Sequence, residues 1–225
     1  SRNRLTDAAL PPLVEAFEAD AMPRVNFLNL VGNELTDAGL ATLRPLLAGR
    51  LSGLVHLSFG SRLTADGARV LAALVAEGHL AQLEKLDLSG NRELGDAGIA
   101  AIADAMATGR LTRLTELRLD GTGMGDAGAA ALGAALGGAP ALETLVVGEN
   151  AFGAAAAAGL KAACKARGVA AMAGSFDVSA SPSMGMPAAE GAVTKEASEA
   201  EVDSAVMTSA RFSWHIRMTS KSWMS

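Results

Sequence analysis

A pattern of apolar residues that occurs five times constrains this chain more than any other feature of its sequence. In each copy, three apolar residues are separated by two and then one variable residue, and Asn or a small polar residue follows. The copies begin at Val25, Leu54, Leu83, Leu114 and Leu142, so they are spaced by 29, 29, 31 and 28 residues. A period in this range is typical of a solenoid, in which each unit buries its apolar face against its neighbours.

A second shared segment lies between the copies and predicts a helix in each unit. In the first full copy it is Leu-Thr-Asp-Ala-Gly at 35–39, and Leu40, Leu43 and Leu47 follow at helical spacing. Thr or Asp directly ahead of such an apolar run is a signal for the start of a helix. One unit is therefore predicted to consist of a strand, a loop, a helix and a second loop that leads to the next strand.

The motif and its period over residues 3–172 resemble the leucine-rich repeat, specifically the ribonuclease-inhibitor-like kind. The resemblance implies an α/β fold, a leucine-rich repeat solenoid that forms a right-handed β-α superhelix, with short parallel strands inside and helices outside. We expect the leucine-rich repeat domain to span residues 1–173, as one partial repeat and five full repeats. A disordered, low-complexity tail is expected over residues 174–225.

The two ends of the repeat region differ. Residues 3–10 align with residues 33–40 in the middle of a repeat, and no initiator Met precedes them, so we expect a fragment or part of a longer array. At the other end, an Ala-rich helix over 154–166 is predicted to stop at Gly168, and a last short strand is predicted over 169–172.

The tail is rich in Ser, Ala, Gly, Pro and Glu and lacks the helical period, which favours disorder with at most a transient helix near 195–207. Its basic and aromatic stretch at 211–218 has two interpretations. It is a short docking or membrane-surface segment, or a non-native extension from an incorrect reading frame. We favour the second, because matches this short often arise by chance.

Recurring polar residues are predicted to support the stack of repeats. Asn33, Asn91 and Asn150 each follow a strand, where an amide can satisfy buried backbone groups of successive repeats, and Thr122 can supply part of this role. An acidic row suggests calcium at first sight, but helix capping and the helix dipole explain it without an ion. The row consists of Asp7, Asp37, Asp66, Asp96 and Asp126. Between strand and helix the second repeat is one residue shorter than the first and the third is one residue longer, so we expect both loops to be irregular.

We predict no catalytic, metal or cofactor site. His56, His79, His215 and Cys164 have no ligand spacing that links them. The Gly-rich segment 121–125 lacks both the spacing of the dinucleotide fingerprint and a Gly-Lys-Ser/Thr sequence. The chain is therefore not expected to be an enzyme.

Composition narrows the class of partner. The net charge of −5 offers no basic surplus for nucleic acid, and no apolar run is as long as a membrane span. The single cysteine excludes an intrachain disulfide and suits a reducing compartment, so a cytoplasmic location is predicted.

The solvent-facing side of the predicted sheet is the expected protein-binding surface. Its residues are Phe27, Asn29, Val31, His56, Ser58, Lys85, Asp87, Glu116, Arg118 and Asp120. Because adjacent parallel strands lie about 4.8 Å apart, Lys85 should lie beside Glu116, and Asp87 beside Arg118. These are two lateral ion pairs, a charged centre for a partner, or both at once, and they are flanked by an apolar spot at an exposed Phe27, Val31 and Val55.

Three classes of function remain open at this stage. The favoured one is a protein-binding scaffold, either a monomer or part of a longer array, whose partner is another protein. The second is the sensing or autoinhibitory region of a larger regulator, since the repeat regions of NOD-like receptors are similar. The third is a GTPase activator, since the Ran GTPase-activating protein is built from similar repeats and segment 149–153 is similar to a string common there. No loop arginine can be assigned as catalytic, so no residue role is carried over from that family.

Overall fold

The computed structural model describes residues 4–18, 25–60 and 62–172, and these residues form a stack of strand and helix units. The tail predicted over 174–225, with its transient helix and its basic stretch, lies outside the described residues.

The described strands form one parallel sheet whose strands follow each other in chain order. They are β1 (Phe27–Asn29), β2 (His56–Ser58), β3 (Lys85–Asp87), β4 (Glu116–Arg118), β5 (Thr144–Val146) and β6 (Ala170–Met172). The five strands predicted from the repeated pattern are confirmed, and β6 confirms the additional strand predicted over 169–172.

Helices connect the strands, as parallel pairing requires, because a crossover must return the chain to the same end of the sheet. The helices are α1 (Leu10–Glu18), α2 (Asp37–Ala48), α3 (Ala65–Ala76), α4 (Gly95–Ala107), α5 (Asp126–Ala135) and α6 (Ala154–Arg167), with short 3-10 turns at Asp7–Ala9 and Leu136–Gly138. Each helix packs against the next one in the chain. As predicted, α6 stops at Gly168, which adopts a left-handed conformation with φ of 70°.

A single apolar core runs between the sheet and the helices. The central residue of each of β2–β5 is a buried Leu, because alternate side chains of a strand point to opposite faces. Leu28, at the same position in β1, is only half-buried, since β1 lies at the edge of the sheet.

Asn91 shows how the predicted ladder of amides connects repeats. Its side-chain oxygen accepts a hydrogen bond from the Leu63 backbone N–H at 2.9 Å, and its side-chain nitrogen donates to the carbonyl oxygens of Phe59 and Leu88, both at 2.8 Å. Asn33 and Asn150 make equivalent bonds to the preceding repeat or to their own turn. The predicted role of these residues is confirmed.

The acidic row also caps helices, but the carboxylates act on the following repeat. Asp37 accepts hydrogen bonds from the backbone N–H and the hydroxyl of Thr64, at 3.0 and 2.6 Å, and the Thr64 hydroxyl in turn accepts from the Asp66 N–H at the start of α3. Asp7, Asp96 and Asp126 likewise accept from the start of the next helical unit. Helix capping therefore accounts for these carboxylates, and each one also connects two repeats.

The glycine of the shared segment leaves room for this contact. A Cβ atom added to Gly128 would lie 2.7 Å from the Asp96 carboxylate and 2.9 Å from Cγ of Met124, closer than real Cβ atoms approach. A side chain at this position would therefore displace the carboxylate that caps the helix.

The hydrogen bonds from an Asp of one repeat to the helix start of the next are missing at the third repeat, for which an irregular loop was predicted. Residue Leu94, which precedes α4, has helical dihedrals and no capping side chain, and Gly95 has φ of +54°. Asp66 makes no bond to this loop and instead pairs with Arg69 on its own helix. The longer loop has moved the backbone donors away from the preceding carboxylate.

The contrast between Asp37 and Asp66 yields a prediction about stability. Asp37→Ala should lower the free energy of unfolding by about 1–2 kcal/mol, since a helix cap and a contact between repeats are lost together. Asp66→Ala removes only an exposed pair and should cost at most about 0.5 kcal/mol. Equilibrium urea unfolding measures both, and equal losses would contradict the role of Asp37 between repeats.

Candidate functional site

The candidate site is the inner sheet face, meaning the side of β1–β5 that points away from the core. The strand register aligns one row of Phe27, His56, Lys85, Glu116 and Thr144, and a second row of Asn29, Ser58, Asp87, Arg118 and Val146. Val31 and Asp120 follow β1 and β4 at the same end of the sheet. The sequence-predicted residues therefore lie on one continuous surface.

The β1–β2 end of this face is apolar and aromatic. The rings of Phe27 and His56 meet edge to face, with centroids 5.3 Å apart and planes at 67°. The expectation of an exposed Phe27 is wrong, because this contact leaves the phenyl ring only partly accessible. Val31 is instead the large apolar residue that is exposed among those described, with 41% of its surface accessible.

The surroundings of His56 favour its neutral form. Burial lowers the pKa of its imidazole below 6.5, and the neighbouring Lys85 cation lowers it further, while Glu84 and Glu116 oppose the shift. The shift favours the uncharged imidazole at the β1–β2 end of the face.

The centre of the face contains the first of the two predicted ion pairs. Lys85 Nζ lies 2.7 Å from Glu116 Oε2, as predicted from the strand register. About half of the Lys85 side chain is exposed, so the pair contributes at most about 1 kcal/mol to stability.

The second predicted pair, between Asp87 and Arg118, is wrong. Asp87 accepts hydrogen bonds from the N–H and the hydroxyl of Ser89, so its carboxylate stabilises the turn after β3. Arg118 instead points toward Glu116 and Asp120, at 3.8 and 3.6 Å. A bond two residues along the chain orders fewer rotatable bonds than a lateral pair, and Asp side chains favour such turns.

Two carboxylates near this face were missed by the sequence analysis. Glu84 and Glu143 precede β3 and β5 at the second position of the repeated pattern. Glu143 is exposed and Glu84 half-buried, and neither forms an ion pair with a Lys or Arg among the residues that the structure describes. Their shared position in the motif was the signal that could have identified them.

The cysteine and the Gly-rich segment that were considered for catalysis both contribute to the packing and hydrogen bonding of the repeats. Cys164 is buried in α6, and burial raises the pKa of its thiol, which keeps it protonated. In the Gly-rich segment, the Gly121 N–H donates to the Gly148 carbonyl at 2.9 Å, and the Thr122 hydroxyl donates to the Leu119 carbonyl at 3.0 Å.

Within residues 4–18, 25–60 and 62–172, no three His, Cys, Asp or Glu side chains are grouped to hold a metal ion. None of the described helices combines the length and apolarity that a membrane crossing requires.

Comparison with protein families supports the architecture. Residues 25–43, 79–103 and 111–133 match the model of the family described as Leucine Rich repeat. These segments contain β1, β3 and β4 together with most of the helix that follows each strand. A comparison with curated proteins gives no match. With one short parallel strand and one helix in each unit, and with three units matching this family, the described residues fold as a leucine-rich repeat solenoid.

Proposed function

We propose that this chain is a non-enzymatic scaffold that binds another protein through the inner sheet face. One observation carries the proposal: five consecutive strands present two aligned rows of side chains on a continuous surface. Hydrogen bonds of Asn and Asp residues between repeats hold these rows in place. Extended surfaces of this kind are what solenoid proteins use to bind partners.

Further features support the finer parts of the proposal. Repeats of 28–31 residues, each with a full helix, agree with the ribonuclease-inhibitor-like kind. The buried, protonated thiol of Cys164 is compatible with a reducing compartment and so with a cytoplasmic location. We propose both assignments together with the scaffold role.

Segment 149–153, which is similar to a string common in the Ran GTPase-activating protein, has a structural role that favours the scaffold. The Asn150 side chain accepts hydrogen bonds from the backbone N–H groups of Thr122 and Met124 and donates to the carbonyl of Leu119. An assay of GTP hydrolysis with small GTPases tests the alternative, and acceleration of hydrolysis by the chain would contradict the scaffold proposal.

Substitutions on the inner sheet face should weaken binding without unfolding the repeats. Phe27→Ala should raise the Kd of a partner about tenfold or more and act mainly on complex lifetime, since apolar contacts govern dissociation. Lys85→Glu should change the association rate and its dependence on salt. Both effects are measurable by surface plasmon resonance, and Arg69→Ala, on the exposed side of α3, is the matched control.

Site-specific photo-crosslinking locates the surface before the partner is known. A benzophenone amino acid at Ser58 on β2 should capture the partner, whereas the same group at Arg69 should not. Capture from Arg69 with none from Ser58 would contradict the assignment of the binding face.

A further inference from the structure

The inner sheet face is divided into two halves that differ in charge. The half on β1 and β2 presents no carboxylate, Lys or Arg among its described residues, which are Asn26, Phe27, Asn29, Val31, Val55, His56 and Ser58. The half on β3–β5 carries the carboxylates Glu84, Asp87, Glu116, Asp120 and Glu143 and the cations Lys85 and Arg118. Acidic groups therefore outnumber basic ones on the β3–β5 half, and the β1–β2 half has neither kind among the residues described there.

The two cations do not neutralise this acidic half. Lys85 pairs with Glu116, and Arg118 lies near both Glu116 and Asp120. Asp87 has only the hydrogen bonds of Ser89, and no Lys or Arg among the described residues pairs with it. The surface is thus left with an unbalanced negative potential, which attracts a basic partner and opposes an acidic one.

Asp120 adds a local reason to expect a donor from outside. Its Oδ2 atom is shielded from solvent and accepts no hydrogen bond, and its nearest cation, Nε of Arg118, is 3.6 Å away. Nearly half of the Arg118 side chain is exposed, so this side chain can rotate away from Asp120. A guanidinium from a partner would then form the short, charge-assisted hydrogen bond that Asp120 lacks.

The spacing of the two halves limits how a partner can reach both. Adjacent strands lie about 4.8 Å apart, so the apolar contact on β1 and the Asp120 carboxylate after β4 are separated by roughly 14 Å. An extended peptide advances about 3.3 Å per residue, so about four residues cover this distance across the strands.

We propose that the partner's contact segment is an extended basic peptide that crosses the strands of the inner sheet face. An apolar side chain of this segment packs on Phe27 and Val31, and an Arg or Lys about four residues away binds Asp120, while Asp87, one strand nearer to β1, strengthens the attraction of the basic side chains. This inference rests on the proposed scaffold function, and it adds the chemistry and the spacing of the partner.

Phage display of random dodecapeptides on the immobilised full chain tests the inference. We expect the enriched peptides to carry Arg or Lys about four residues from Leu, Ile, Phe or Trp. Synthetic copies should bind at least tenfold more weakly to Phe27→Ala and to the double variant Asp87→Asn/Asp120→Asn, and with unchanged affinity to Arg69→Ala. Lys85→Glu should speed their association, since it removes a competing cation. Circular dichroism melting confirms that each variant is folded.

The other outcomes separate the inference from the proposal beneath it. Enriched peptides that are neutral or acidic, yet lose affinity for Phe27→Ala, would overturn the basic-segment inference and leave the scaffold face intact. Peptides that ignore every inner-face variant would contradict both. Absence of enrichment above a library panned on bare matrix would also overturn the inference.

Discussion

Leu86→Ala is expected to lower the free energy of unfolding by about 2–5 kcal/mol. Leu86 is the central residue of β3, only 4% of its surface is exposed, and it lies between Leu57 and Leu117 on the neighbouring strands. Truncation opens a cavity in the middle of the stack, where each unit depends on contacts with the next one. Equilibrium urea unfolding followed by circular dichroism measures the loss.

Lys85→Ala is the matched control on the same strand, because its side chain points to solvent and loses at most one surface ion pair. Its cost should stay below about 1 kcal/mol. Because Leu86→Ala weakens the contacts of β3 with the repeats on either side of it, we also expect a broader unfolding transition with a smaller m-value. A loss as small as that of Lys85→Ala would show that Leu86 does not join neighbouring layers.

Asn91→Ala is expected to cost about 1–3 kcal/mol, because backbone groups that are shielded from water lose their partner. Asn91 itself is fully buried, and its amide satisfies the N–H of Leu63 and the carbonyls of Phe59 and Leu88. The melting temperature should fall by several degrees, which differential scanning calorimetry measures.

Asn29→Ala provides the comparison for this effect. Asn29 lies on the inner sheet face, where its side chain accepts one bond from the exposed N–H of Val31, which water can replace. Its loss should stay near 0.5 kcal/mol. An unchanged melting temperature for Asn91→Ala would refute the role of the Asn ladder in stability.

Most of the architecture could be predicted from the sequence alone, because the same pattern of apolar residues occurs five times at a nearly constant period. A short strand must point Leu57, Leu86 and Leu117 toward the core, and the period of the pattern then sets the register and the order of the strands. The same logic placed Lys85 beside Glu116 and assigned Asn91 to buried backbone groups.

The partners of individual polar side chains were decided only by the tertiary structure. Asp37 reaches the next repeat while Asp66 does not, because one longer loop moves the donors away. Asp87 binds its own turn instead of Arg118, and Phe27 is partly covered by the ring of His56. For Asp87 and Phe27, more than one partner lies near the side chain, and contacts of this kind contribute about 1 kcal/mol or less each, so local geometry selects among them. The repeated pattern carries no information about that choice, because it specifies which face a residue occupies and not how its side chain turns on that face.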